Sequence, residues 1–112
     1  MDDISLNQLK QDVEKAAKEL LKDKLSKVVL YGSYARGDYD SESDIDFALI
    51  STIPHSITPS YNKSIGKITS ELSIKYGIVV SIIIISLETF DEYKDVLPFY
   101  MNIINEGEVL YG

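Results

Sequence analysis

Two short apolar runs, Lys27-Val28-Val29-Leu30-Tyr31 and Ile45-Asp46-Phe47-Ala48-Leu49-Ile50, flank a turn that begins Gly32-Ser33-Tyr34-Ala35-Arg36-Gly37. Each run has the length and composition of a buried strand, and Gly32-Ser33 ends the first one and opens a helical turn. A strand-to-helix turn of this kind leaves backbone N–H groups unpaired and facing an anion. Gly32 lets the backbone approach a phosphate closely, and the Ser33 amide and hydroxyl add donors there.

Side chains alternate along a strand, so Asp44, Asp46 and Ala48 share one face of the second run while Ile45, Phe47 and Leu49 share the other. The apolar face anchors the carboxylates. Residues two apart on a strand are about 6.5 to 7 Å apart at Cα, close enough to converge on one divalent cation or a pair. Magnesium takes hard oxygen ligands and keeps part of its shell for water and phosphate, so two carboxylates with a triphosphate form a coherent set.

Gly32-Ser33, ten intervening residues and then Asp44-Ile45-Asp46 resembles the GS-x10-D-x-D signature of the DNA polymerase beta-like nucleotidyltransferases. GSYARG followed by SDID is similar to the minimal nucleotidyltransferase (MNT) branch. The resemblance implies an α/β (α+β) fold with a small mixed sheet and helices mainly on one face. It also implies Mg2+ or Mn2+ with ATP as substrate. Asp44 and Asp46 would be the catalytic metal ligands, and Gly32, Ser33 and Arg36 would lie at the nucleotide. Standalone MNT proteins resemble the antitoxin halves of pairs with a helical HEPN toxin. The resemblance therefore implies AMP transfer to a hydroxyl of such a partner, with homo- or hetero-oligomers left open.

One position departs from that family. A third carboxylate usually sits on the strand beside the D-x-D strand, and the run Ile78-Val79-Val80-Ser81-Ile82-Ile83-Ile84-Ile85 offers only Ser81 there. In two-metal phosphoryl transfer such an acid helps hold the metal that activates the acceptor hydroxyl. Ser81 thus leaves an alternative open, a module that binds a partner or senses nucleotide with weakened catalysis. Glu88 or Asp91, just beyond the run, is the nearest surrogate in sequence.

Other motif readings fail on particular residues. A P-loop needs Lys and Ser or Thr after Gly37, where Asp38 and Tyr39 stand, and an EF-hand starting at Asp38 needs Gly at Ser43 and Glu at Leu49. Asp38, Asp40 and Glu42 read as a solvated turn. Arg36 has two readings, a phosphate contact or a surface ion pair with that acidic loop. Tyr31, Tyr34 and Tyr39 read as core or rim packing around the motif.

The remaining chain supplies supporting elements. Leu6, Leu9, Val13, Ala16, Ala17, Leu20 and Leu21 recur at helical spacing, as do Ile65, Ile68, Leu72 and Tyr76 before Gly77. The Pro-flanked segment Ser51 to Thr58 reads as a loop flanking the nucleotide. Ser86 fits the N-cap of a short helix through Tyr93, and Pro98 starts a last helix that stops at Gly107 ahead of a brief edge strand, Glu108 to Tyr111.

At 112 residues the chain is expected to be one domain, 1–112. A net charge of −7 disfavours a broad nucleic-acid surface, which needs clustered Lys and Arg. Cysteine is absent, which excludes disulfides and thiolate metal sites. Met1-Asp2-Asp3 lacks the basic, apolar start of a signal peptide and the longest apolar run is far short of a bilayer span, so the expected location is cytoplasmic.

Overall fold

A computed structural model describes residues 1–112. The elements follow in the order α1 (Asp3–Leu21), β1 (Leu25–Tyr31), α2 (Ser33–Arg36), β2 (Ile45–Ser51), α3 (Asn62–Tyr76), β3 (Val80–Ser86), α4 (Leu87–Tyr93), α5 (Pro98–Glu106) and β4 (Glu108–Tyr111). The four strands form one mixed sheet in the order β3-β2-β1-β4. β1 runs antiparallel to β2 and to β4, while β2 and β3 are parallel. The expected mixed sheet is therefore what the chain forms.

Local chemistry sets the element ends. Asp2 caps α1 by accepting from the Ser5 amide at 2.7 Å, and Ser86 caps α4 by accepting from the Thr89 amide at 3.2 Å. Gly77 closes α3 in the left-handed conformation (φ 66°), which releases the chain into β3. Pro98 occupies the first position of α5, where its missing N–H costs nothing.

The two faces of the sheet are covered unequally. The long helices α1 and α3 lie on one face, where Leu9, Val13, Ala17 and Leu72 pack with Val28, Leu30, Ile45, Phe47, Leu49, Val80 and Ile82. The opposite face presents Val29, Ala48, Ile50 and Ile85, covered by Phe90 of α4 and Ile103 of α5. Alternation along β2 is strict: Ile45, Phe47 and Leu49 enter the first core, and Ala48 and Ile50 enter the second. Asp46 thus lies on the face that carries α4 and α5.

Salt bridges and hydrogen bonds tie the periphery to this frame. Asp12 of α1 accepts from Tyr76 at 2.5 Å and from Lys75 at 2.9 Å, both at the end of α3. Burial works against the Asp12 charge, but these two donors win and hold its carboxyl below the usual range. Lys10 pairs with Glu108 at 2.8 Å, and Lys18 lies over the Tyr111 ring at 4.5 Å, which binds the short edge strand to α1. No helix is long and apolar enough to cross a membrane.

Burial predicts a contrast between two isoleucines. Ile103, 2% exposed, is the contact that seats α5 on the sheet, whereas Ile74 is 84% exposed. Ile103→Ala is expected to cost about 2–5 kcal/mol, and Ile74→Ala to stay within about 0.5 kcal/mol of wild type. Urea denaturation midpoints of the two variants check this.

Candidate active site

The site forms at the end of the sheet where β1 stops and β2 begins. Tyr31, the last residue of β1, pairs with Asp46, and Asp46 pairs on its other side with Ser81 of β3. Paired residues on neighbouring strands point to the same face. The row Tyr31-Asp46-Ser81 therefore crosses the sheet beside the second core, with Asp44 one step before the strand.

Gly32 turns the chain out of β1 directly over Asp46. Its backbone (φ 76°, ψ −157°) lies in a region open essentially to glycine alone, and a Cβ there would stand 2.7 Å from Asp46 Oδ2. The Gly32 carbonyl accepts from the Ala35 and Arg36 amides at 3.1 Å each, and Ser33 accepts from Gly37 at 2.9 Å, which folds the turn tightly. The Gly32 amide has no acceptor within the chain. At four residues, α2 is too short for a strong macrodipole, so an anion would be held here by individual amides and by Ser33.

Neither Asp44 nor Asp46 accepts a hydrogen bond or joins an ion pair. Asp46 is half-buried and Asp44 exposed. Burial raises the Asp46 pKa above the ordinary carboxylate value, the Asp44 charge raises it further, and Arg36 opposes both. Beside it, burial and then the Asp46 charge push the Tyr31 phenol up to about 12, so it stays protonated. Two unpaired carboxylates next to an unbonded amide suit a hard divalent cation carrying a polyphosphate. No cluster of three or more His, Cys, Asp or Glu side chains forms.

Several sequence expectations resolve here. Arg36 donates to Asp38 at 3.1 Å and to Glu106 of α5 at 3.3 Å, so the ion pair with the acidic loop is the arrangement observed. A phosphate would have to compete for it. Asp40 accepts from the Glu42 amide at 2.8 Å and Ser43 Oγ accepts from the Asp40 amide at 3.0 Å, the hydrogen bonding of a solvated turn. Tyr34 is buried and stacks on Tyr39 at 4.0 Å. Ser81 sits opposite Asp46, the place read for it in the sequence.

Two expectations are corrected. The loop after Ser51 does not flank the carboxylates, because β2 carries the chain about 17 Å away from Asp46 before the loop begins. Glu88 and Asp91 follow the far end of β3, which runs parallel to β2, so they are equally remote from Ser81. Sequence reading also missed Glu106, whose contact with Arg36 spans 70 residues and leaves no local signal.

Comparison with known proteins decides the family. A model of the nucleotidyltransferase domain matches residues 10–108. The chain belongs to the nucleotidyltransferase domain family. Among similar proteins, "Putative protein adenylyltransferase MJ0604" of Methanocaldococcus jannaschii is 35% identical over 105 residues, covering 88% of this chain and 97% of the relative. "Putative protein adenylyltransferase MJ0141" of the same organism is 47% identical over 75 residues, 66% of this chain and 73% of the relative.

Solved structures agree in fold. A toxin–antitoxin crystal structure with AMP-PNP superposes with a TM-score of 0.59 at 19% identity, over 92% of this chain and 73% of that one. The Shewanella oneidensis MNT antitoxin structure, in complex with a tri-AMPylated HEPN toxin, gives a TM-score of 0.56 at 16% identity, over 95% and 71%. The nucleotidyltransferase fold is thereby borne out, and the domain match bears out the nucleotidyltransferase resemblance.

Two outcomes follow from the geometry. Gly32→Ala is expected to destabilise the fold by about 1–3 kcal/mol and, in a crystal structure, to displace the Asp46 carboxylate. For pH, a carboxyl whose folded pKa is raised contributes stability below its unfolded value and loses that contribution as pH rises through the folded value. Without metal, Asp46→Asn is expected to gain stability over wild type as pH rises above about 4. Urea midpoints of both proteins across that range test the sign.

Proposed function

We propose that this chain, as one minimal domain spanning 1–112, transfers AMP from ATP to a hydroxyl of a partner protein and thereby neutralises a HEPN-type toxin. The observation that carries the reading is the pair of unbonded carboxylates, Asp44 and Asp46, with Asp46 packed against the Gly32 turn. Asp44 and Asp46 would hold the catalytic metal, Mg2+ or Mn2+, and the Gly32 and Ser33 amides and the Ser33 hydroxyl would hold phosphate oxygens. Arg36 reaches phosphate by exchanging its contacts with Asp38 and Glu106. A divalent ion held there would supply charge neutralisation on the triphosphate.

In the reaction the acceptor hydroxyl oxygen bonds to the α-phosphorus and the bridging bond to the β-phosphate breaks. Pyrophosphate leaves, and the hydroxyl proton passes to solvent. The chain's task is orientation: two carboxylates fixed by the apolar side of β2 and a phosphate turn fixed by Gly32 keep the reacting groups aligned. The protein acceptor is supported by the names of the relatives and by the net charge of −7, which repels a polynucleotide.

Ser81 favours a second reading. A hydroxyl opposite Asp46 cannot supply the charge of a third carboxylate, so the fold could hold nucleotide and partner with little turnover.

Transfer of label from α-phosphate-labelled ATP to a co-expressed HEPN-type partner separates the two. Label with wild type and none with the Asp44→Asn, Asp46→Asn double variant supports the transferase. Metal-dependent ATP binding without transfer, with transfer gained by Ser81→Asp, supports the binding module.

A further inference from the structure

Helix α5 carries two apolar stripes and only one of them is covered. Tyr100 and Ile103 face the second core, with Ile103 buried. Leu97, Met101 and Ile104 recur at i, i+4 and i+7 on another side and are 41%, 36% and 46% exposed. Glu106 is the sole charged residue of the helix. A surface helix ordinarily carries charge on its outer side, and one that is apolar on two sides is built to be covered. The uncovered stripe widens through Val96, 67% exposed, on the connection from α4, and Tyr93, 38% exposed, at the end of α4.

This patch is continuous with the active site. Phe99 at the start of α5 meets Tyr31 edge to face at 5.7 Å, and Tyr31 pairs with Asp46. Glu106 at its end holds Arg36 of the phosphate turn at 3.3 Å. A body seated on the stripe would therefore stand beside the carboxylates.

The charge of the segment selects the occupant. The charged side chains of residues 87–107 are Glu88, Asp91, Glu92, Asp95 and Glu106 against Lys94, with Arg36 paired to Glu106, so this segment is net acidic. A second copy of this chain would bring the same acidic segment against its own, and an anionic membrane or nucleic acid would meet like charge. We infer that the α4–α5 face is the docking surface for the acceptor protein, and that it takes a basic, apolar helical surface carrying the hydroxyl to be modified. This rests on the proposed transfer to a protein, and it assigns the surface that would select the acceptor.

Two 18-residue amphipathic helical peptides test it, each with a leucine face and one central tyrosine, one with lysines and the other with glutamates on the polar face. Binding is read by fluorescence anisotropy and by amide shifts of the 15N-labelled chain. The lysine peptide is expected to bind with shifts at residues 87–107 and at Tyr31. The surface variant Val96→Ser, Met101→Ser, Ile104→Ser, its fold checked by circular dichroism and by retained ATP binding, is expected to bind it at least about tenfold more weakly. So is the charge variant Asp91→Lys, Glu92→Lys, Asp95→Lys.

No binding, equal binding of the glutamate peptide, shifts elsewhere, or wild-type affinity in the serine variant overturns the assignment. A concentration-dependent dimer abolished by the serine substitutions gives the face to a second copy and overturns it as well. The Asp44→Asn, Asp46→Asn variant is expected to bind the peptide normally. Failure of nucleotide chemistry and failure of docking therefore give separate signatures.

Discussion

The alternation of side chains along β2 is the constraint from which the site follows. Ile45, Phe47 and Leu49 are wholly buried beneath α1 and α3, and the 180° change in direction at each residue leaves Asp46 no choice but the opposite face. A one-residue slip of β2 would drive Asp46 into the apolar core and expose Phe47, so the burial of three large side chains enforces the register of the carboxylate. Gly32 completes the arrangement from β1, because the antiparallel pairing of Tyr31 with Asp46 brings the next residue over the carboxylate.

That arrangement stores an electrostatic conflict. Asp46 is half-buried, next to the Asp44 charge, and without a hydrogen-bond donor. A chain selected only for stability would do better with asparagine or an apolar residue at that place. A divalent cation would relieve the conflict, and this is the physical reason to regard the pair as a candidate site rather than as surface decoration. Arg36 moderates it partly from a distance, while two carboxylates, Asp38 and Glu106, keep the guanidinium parked.

Much of this was legible in the sequence because it is local. The strands, the glycine turn, the Ser86 cap, the Pro98 start and the alternation that separates Asp46 from Phe47 all depend on residues within a few positions of one another. Ser81 lies where the family resemblance implied, on the strand beside β2, and the two-residue period puts it on the face of Asp46 once Val80 and Ile82 are buried. What could not be read depends on strand direction and on distant partners. The parallel course of β3 removed Glu88 and Asp91 from the carboxylates, and the course of β2 removed the Pro-flanked loop. The Arg36–Glu106 bridge and the bare side of α5 arise from where the C-terminal helix lands, which Phe99 and Ile103 decide through contacts far away in sequence.

The central claim is that Asp44 and Asp46 together hold the metal of a bound nucleotide. A crystal structure with Mn2+ and a non-hydrolysable ATP analogue, with anomalous differences recorded for manganese, tests it most directly. The account predicts one manganese peak shared by the two carboxylates, with the phosphates lying on the Gly32 and Ser33 amides. Nucleotide bound elsewhere on the chain, or bound at the turn with no manganese between Asp44 and Asp46, would contradict it.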